Sequence, residues 1–569
     1  MEYLWVINEA NDPSEIEFIK KELGVPEIIA KVLLQRNIKS FDEARKFFRP
    51  DLSELYSPFL MKEMDLAIKR LVKALQRGEN IRIYGDYDVD GTTGTALLYL
   101  VLSGLVGRRI SYYIPDRISE GYGLSKEAIQ AAKDDGIDLI LTVDCGITAV
   151  EEVQFANELG MEVIVCDHHQ PGEELPPAVA VLDPKRKDDE YPFKELAGCG
   201  VAFKLLQALY QELNLPQDEL NNHLDLVAIG SCADIVPLVD ENRILVKHGL
   251  DLINQNPRVG LRALIENAGL HRREIQASTI VFSLAPRINA VGRMGDATRA
   301  VKLFTSNSIE TARDLARILE EENRSRKDID EVTFKEAVSL IEEKLNQSDR
   351  KAFVLYKEDW HPGVIGIVAS RIVEKFYKPT IMISVSDGVG KGSARSVEDF
   401  DVFSAIKECE DLLLEFGGHK YAAGLSIKLE NIPEFIDRFG KYVNEHLEST
   451  MLTPKIQIDA KVHLDEFTSQ VFRILKLFGP FGPMNLRPVF ASYGCRIVEG
   501  PTVIGKNHLK MKVTQGQTVF EAIGFNLGDK MEMIKSNPGR IDLVYTVQEN
   551  YWNGKTTMQL RLRDIKISE

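Results

Sequence analysis

Three short apolar runs, each ending in aspartate, constrain this chain more than any other feature. IRIYG at 81–85 runs into Asp86, Asp88 and Asp90. DLILTVDCG at 138–146 carries Asp144, and MEVIVCDHH at 161–169 carries Asp167, His168 and His169. Runs this short and this rich in Ile, Val and Leu fit strands buried on both faces, as in a parallel sheet. Helical spacing fills the gaps. TTGTALLYLVLSGL follows the first run, SKEAIQAAKDDG leads into the second, and Thr148 to Gly160 leads into the third, with Thr148-x-x-Glu151 as a capping box. Strands alternating with helices predict a doubly wound parallel α/β sheet.

The carboxyl ends of such strands share one rim, where ligands bind. Four or more carboxylates and two imidazoles are therefore expected in one cleft, where they would repel one another. Divalent cations offset that repulsion, and carboxylate oxygens with neutral imidazole suit Mn²⁺ or Mg²⁺. The ligand count suggests two ions, an arrangement that clamps the attacking and leaving oxygens of a phosphoester. One strand-end aspartate would most simply be a solvated acid, but three successive ends plus His-His outweigh that reading. Two look-alikes are set aside. Asp86-x-Asp88-x-Asp90-Gly91 opens like a calcium loop, yet its twelfth position is Leu97 and a strand precedes it. Gly500 to Asn507 nearly spells a phosphate loop but lacks the final Ser/Thr and falls between strands, so a turn is expected.

With 569 residues, several domains are expected. Helical spacing (EIIAKVLLQR, DLAIKRLVKALQRG) marks an N-terminal region over 1–75, and the sheet lobe covers 76–305. One or two charged, solvated linker helices cover 306–346, and a smaller α/β lobe covers 347–450. The remainder, 451–569, reads as all strand and predicts a small antiparallel barrel with an Asn553-Gly554 turn. No apolar run approaches the ~20 residues of a bilayer span, and no secretory leader is visible. Six cysteines without a CxxC pair suit a reducing cytoplasm and no structural zinc. The net charge of −16 argues against a protein coated along its length by nucleic acid, though not against a local basic track.

The motifs carry a resemblance. DYDVDG (86–91), VDCG (143–146), DHH (167–169) and CADIVPL (232–238) are similar to the four motifs of the DHH phosphoesterase superfamily. APRINAVGRMGDA (285–297), WHPGVIGIVASR (360–371), GSARS (392–396) and GGHKYAAG (417–424) narrow it. From about residue 5 to the C-terminus the chain resembles the bacterial RecJ family of single-strand-specific DNA exonucleases. The resemblance implies a DHH catalytic lobe, a DHHA1 lobe and a terminal OB-fold that binds single strands. It places metal ligands at Asp88, Asp90, Asp144, His168 and Asp234, with Asp144 bridging. His169 would sit beside the scissile phosphate, and Asp86 and Asp167 would orient the ligands. Without the family pattern Asp234 would read as a helix-end acid. Arg117 and Tyr122 would receive the 5′ end, while Arg287, Asn289 and Arg293 would contact phosphate. Gly417, Gly418 and His419 would admit a close backbone approach, assisted by Ser393 and Arg395.

The implied activity is 5′→3′ hydrolysis of single-stranded DNA in recombination and repair. The implied partners are a RecQ-type helicase and a single-strand-binding protein, with no membrane. Two alternatives are a short-oligonucleotide or cyclic-dinucleotide phosphodiesterase and a catalytically inactive replication-fork scaffold. The long N-terminal region and the barrel argue against the first, and the intact acid set argues against the second. Tyr493, Tyr545, Tyr551 and Trp552 are candidates to stack bases, about half of them expected to be core. PFGPMNLRPVF (480–490) departs from the family's glycine- and proline-rich turn at Met484 and Leu486, at an expected hinge between the second lobe and the barrel. A further C-terminal domain, as in longer relatives, is not expected.

Overall fold

The computed structural model describes residues 2–8, 12–117, 119–345, 350–537, 539–552 and 555–568. The Asn553-Gly554 turn and the side chains of Tyr551 and Trp552 lie outside the described residues. The chain forms two compact units. One comprises residues 5–288, 297–316 and 456–569, and the other 1–4, 289–296 and 317–455.

The first unit contains the anticipated parallel sheet. Its strands are β1 (Ile81–Gly85), β2 (Ile110–Tyr113), β3 (Leu139–Val143), β4 (Glu162–Cys166) and β5 (Ala180–Leu182), in the order β2-β1-β3-β4-β5. All four pairings are parallel, with Gly85 opposite Val143 and Cys166 opposite Leu182. Every residue of β3 is buried, as a central strand covered on both faces requires. The two outer strands escape periodicity analysis, because they have only four and three residues. Helix α1 (Val89–Val106) follows β1 and packs on α2 (Gly198–Glu212) and α3 (Leu224–Ala233). At 18 residues it is apolar enough to cross a membrane by length and composition, so a run close to bilayer length is present after all. Of that stretch 67% is buried inside the fold, as in a core helix. The expected capping box at Thr148 does not form. That helix spans Val150–Glu158 after Ala149, and Glu151 instead lies 2.9 Å from Lys126 Nζ.

The second unit holds a five-stranded sheet. Its strands are β6 (Phe353–Glu358), β7 (Thr380–Ser386), β8 (Val389–Arg395), β9 (Leu413–His419) and β10 (Ala422–Lys428), ordered β9-β10-β8-β7-β6. Only β6 and β7 pair in parallel. The segment read as one or two solvated linker helices is one helix, Ile309–Leu345. It is not solvated all round: Ala337 and Ile341 share a core with Phe353, Leu355 and Trp360.

The terminal barrel lies in the first unit. It comprises β11 (Ala460–Lys461), β12 (Phe490–Ile504), β13 (His508–Thr514), β14 (Val519–Gly524), β15 (Ile541–Trp552) and β16 (Lys555–Ile567). The order is β11-β12-β13-β14-β16-β15, and β15 pairs again with β12, closing a five-stranded barrel. Two expectations are corrected. The pairings β11–β12 and β14–β16 are parallel, and helices Ser469–Leu477 and Met531–Lys535 interrupt the strands. The turn after β12, at Gly505, is the look-alike phosphate loop.

The N-terminal region is helical over Pro13–Leu23, Glu27–Gln35, Phe41–Phe48 and Met64–Arg77, but it begins with a strand, Leu4–Ile7, paired with Lys455–Ile458. Its first three helices share one core with the barrel, Ile29 and Leu33 joining Phe478, Phe490 and Tyr545. The PFGPMNLRPVF segment therefore belongs to the first unit and is not a hinge to the second lobe. Arg243 stacks on Phe47 at 3.9 Å and donates to the carbonyls of Phe478 at 2.9 Å and Gly479 at 2.8 Å. Asn485 is buried and donates to Phe478 and Pro480 carbonyls, each at 2.8 Å, while its neighbours Met484 and Leu486 are exposed.

Candidate active site

The rim of the parallel sheet gathers the acids in the order the strands dictate. Asp86 follows β1 and is buried. Asp88 caps α1, its Oδ1 accepting from Gly91 N at 3.0 Å, a favourable place for an anion at a helix N-terminus. Asp90 lies in the first turn of α1, with its carboxylate held by a second helix start: Oδ2 accepts from Gly198 N at 2.6 Å and Oδ1 from Cys199 N at 3.0 Å. Gly198 is needed for this closeness, since a Cβ there would fall 2.7 Å from Asp144 Cβ. Sequence reading passed over this pair, although the AGCG run of small residues at the head of α2 is the signal.

Asp144 follows β3 in the left-handed region (φ 62°), a conformation that asparagine and aspartate tolerate. Asp167 follows β4 and is saturated. Its Oδ2 accepts from Ile147 N at 2.9 Å, and its Oδ1 accepts from His168 N at 2.7 Å and His169 Nδ1 at 2.7 Å. Burial would raise its pKa, but these bonds hold it below the usual carboxylate range. In turn, burial would lower His169, and the Asp167 bond overcomes it, raising the ring to about 9. The half-exposed His169 ring is thus oriented, not merely present. Tyr122, exposed on one side, donates to the Asp144 carbonyl at 3.1 Å and lies 3.1 Å from His169 Nδ1. That hydroxyl role was not foreseen.

His168 is different. Burial lowers it to about 4, so the ring is neutral, and its Nε2 faces Asp144 Oδ1 at 3.1 Å, Asp234 Oδ2 at 3.6 Å and Asp90 Oδ2 at 3.8 Å. Burial first, then mutual repulsion, raises Asp144, Asp86 and Asp90 and pushes Asp234 up to about 8. Asp144 Oδ1, Asp86 Oδ1 and both His168 nitrogens are buried without any hydrogen-bond partner. Buried polar atoms seldom go unpartnered. Three sets bring ligand atoms within 4.8 Å of one another: Asp86, Asp88 and Asp144; Asp90, His168 and Asp234; and Asp144, His168 and His169. Neutral imidazole and orphan carboxylate oxygens are the donor set of a hard divalent cation. A fourth strand end adds Asp183, buried with Oδ2 unpartnered and pushed up to about 7 mainly by burial.

The remaining candidates divide between the units. In the first, Arg117 lies over the Tyr87 ring at 4.9 Å, and Arg287 donates to Ser283 O at 2.6 Å. In the second, Arg293 donates to Gly363 O at 3.0 Å, and Arg395 donates to Ser393 Oγ at 3.1 Å. Asn289 lies in the same helix as Arg293, Ala285–Met294. Gly417, Gly418 and His419 form the exposed end of β9. In the barrel, Tyr545 is fully buried against Ser492 and is no stacking platform. Tyr493 is half-buried, edge-on to Trp5 with Lys461 over its ring.

Comparison with known proteins agrees with this architecture. Residues 80–231 match the DHH family N-terminal domain, 349–445 the DHHA1 domain and 458–564 the RecJ OB domain. The chain is 38% identical to the single-stranded-DNA-specific exonuclease RecJ of Bacillus subtilis (strain 168), over 98% of this chain and 70% of that one. RecJ of Thermus thermophilus in complex with Mn²⁺ superposes with a TM-score of 0.85 at 32% identity, covering 99% of this chain and 80% of that one. The same protein with Mg²⁺ gives 0.79 at 30% identity, covering 99% and 78%. With domains, sequence and fold in accord, the chain belongs to the RecJ family of single-stranded-DNA-specific exonucleases.

Proposed function

We propose that this protein hydrolyses single-stranded DNA from its 5′ end, using two divalent cations, Mn²⁺ or Mg²⁺, held on the rim of the parallel sheet. The observation that carries the reading is the set of buried, unpartnered oxygens and nitrogens on Asp86, Asp144 and His168. Asp86, Asp88 and Asp144 would hold one ion, and Asp90, His168 and Asp234 the other, with Asp144 near both sets. Bound there, the ions would supply Lewis acidity, lowering the pKa of water and neutralising phosphate charge. The protein's own residues do the rest. Asp167 fixes the His169 ring so that a charged imidazolium can meet a phosphate oxygen. Tyr122 holds the Asp144 backbone and that ring in register. Arg117 offers a guanidinium fork to a terminal 5′-phosphate, and Arg287 to an internal one. In the second unit, Asn289, Arg293, Ser393, Arg395 and the Gly417-Gly418-His419 edge supply further phosphate contacts, and the barrel groove receives the strand beyond.

An enzyme restricted to single strands needs a supplier of them. A RecQ-type helicase and single-strand-binding protein are the fitting partners, in recombination and repair. All six cysteines are free and buried thiols, which suits a reducing cytoplasm. The test follows products of a 5′-labelled and a 3′-labelled strand with Mn²⁺ and with excess EDTA. Labelled mononucleotide is expected at once from the 5′-labelled strand, and none is expected with EDTA. Cleavage undiminished by EDTA removes the metal reading, and progressive shortening of the 5′-labelled strand removes the polarity. Arg117→Ala should slow 5′-phosphorylated strands more than 5′-hydroxyl strands, read as kcat/KM on each.

A further inference from the structure

Where α3 ends, in CADIVPL, Ile235 adopts φ 61°. Left-handed backbone is a genuine outlier for a β-branched residue, and glycine or asparagine is the ordinary occupant. The turn itself has a plain purpose. Asp234 N donates to Gly230 O at 2.9 Å and Ile235 N to Cys232 O at 3.3 Å, closing the helix. Asp234 then faces His168, while Val236 and Leu238 enter the core. None of this requires the Ile235 side chain, which is 58% exposed. A side chain both strained and solvated gains nothing from core packing, and such outliers gather at functional sites.

Its position indicates the function. Asp234 Oδ2 lies 3.6 Å from His168 Nε2, and the His168 and His169 rings are 4.6 Å apart. Tyr122 lies 3.1 Å from His169. Tyr122 thus stands at one end of this series and Ile235, next in sequence to Asp234, at the other; both are exposed, at 50% and 58%. The charged part of a nucleotide belongs with the cations; only its base or sugar can use an apolar face.

We propose that Ile235 is a substrate-contacting residue whose side chain packs on the nucleoside lying across the scissile phosphate from Tyr122. The strained turn presents that surface beside Asp234. A base in a duplex has its faces covered by stacking, so this contact also favours single strands. The inference rests on the exonuclease reading above.

The test uses the full chain with Ile235→Gly and Ile235→Asn, both of which accept the left-handed region. Melting temperature is expected to hold or rise, and titration with Mn²⁺ alone is expected to match wild type. Single-turnover cleavage at low strand concentration should fall roughly tenfold, the worth of one base contact. On strands carrying one abasic site, placed in turn at each of the first three nucleotides, one position should make wild type and variants equal. Unchanged cleavage of the intact strand overturns the proposal, as does an equal loss at every abasic position. Weakened Mn²⁺ binding overturns it too, by showing that Ile235 only sets Asp234. A wild type inert on every strand overturns the exonuclease reading as well, a result distinct from all the others.

Discussion

The rim of the parallel sheet and the β9 edge of the second sheet both carry family motifs, yet they are built on opposite plans. On the rim the chemistry is in side chains, buried, crowded and short of partners. Asp86, Asp90, Asp144 and His168 are each less than 6% exposed. On the β9 edge it is in the backbone: Glu415, Gly417, Gly418 and His419 are exposed, and two of the four have no side chain to contribute. Like charges can be held together only by rigid elements that fix them before a cation arrives, and strand ends and helix starts do that. A surface that must let a phosphate approach a main chain needs the reverse, an open strand and no Cβ. On the function proposed above, chemistry would fall to the first region and grip to the second.

That contrast can be broken most forcefully at Asp144. Asp144→Asn should lower kcat by roughly three orders of magnitude or more while leaving most affinity for long strands. Filter binding with single-turnover cleavage separates the two, and a parallel loss of affinity would erase the division of labour. Next is Tyr122→Phe, which deletes one hydroxyl from the rim. It should slow kcat about 10–100-fold, as removal of a ligand-orienting partner does. A change confined to KM would make Tyr122 a binding group alone.

The β9 edge is probed by a pair. A Cβ at Gly417 meets nothing within 4 Å, so Gly417→Ala keeps the fold, and its expected effect is a several-fold rise in KM from lost phosphate approach. At Gly418 (φ 140°) a Cβ would fall 2.4 Å from Ala422 O, so Gly418→Ala should lower the melting temperature as well. Equal kinetics for wild type and Gly417→Ala would show that no phosphate passes there.

The smallest effect is on stability. Asp234, pushed up to about 8 by burial and its acidic neighbours, ionises less readily folded than unfolded. Its contribution is therefore full below about pH 4 and is lost as pH rises through 8. Metal-free protein should melt a few degrees lower, ~2–4 °C, at pH 8 than at pH 6. Mn²⁺ should flatten that slope, because a bound cation favours the ionised carboxylates. No such slope in EDTA would mean the rim is less strained than its geometry shows.

How much of this was legible depended on length of signal. Runs ending at Asp86, Asp144 and Asp167 were long enough to read as buried strands, so the parallel rim was open to inference. Asp183 was not, because its strand has three residues and no period. Gly198 and Cys199 were missed because their contribution is backbone N–H, which no side-chain motif records. The barrel aromatics resisted sorting for a specific reason. Residues 541–547 of β15 are all buried: Leu543 and Tyr545 enter the barrel core, while Val544 joins Ile458 and Ala491 in a second cluster, so both faces are covered and alternation fails. The capping box at Thr148 illustrates the opposite error: the helix starts at Val150 with Ala149 as its cap, which leaves Glu151 one position short of the N3 place the box needs.

The core shared by the first three helices and the terminal barrel has a consequence for the newborn chain. Ribosomes release the N-terminal side first, yet the core that Ile29 and Leu33 enter is completed by residues from Ala460 to Ile565. At ~5–20 residues per second, the leading helices wait on the order of 25–100 s with apolar faces uncovered. Helices made long before the barrel are thus buried only after it, a window in which a chaperone has the most to shield. The same dependence means that cutting the chain after about Asn444 would remove more than a separable barrel. It would strand the opening helices without the partner they await.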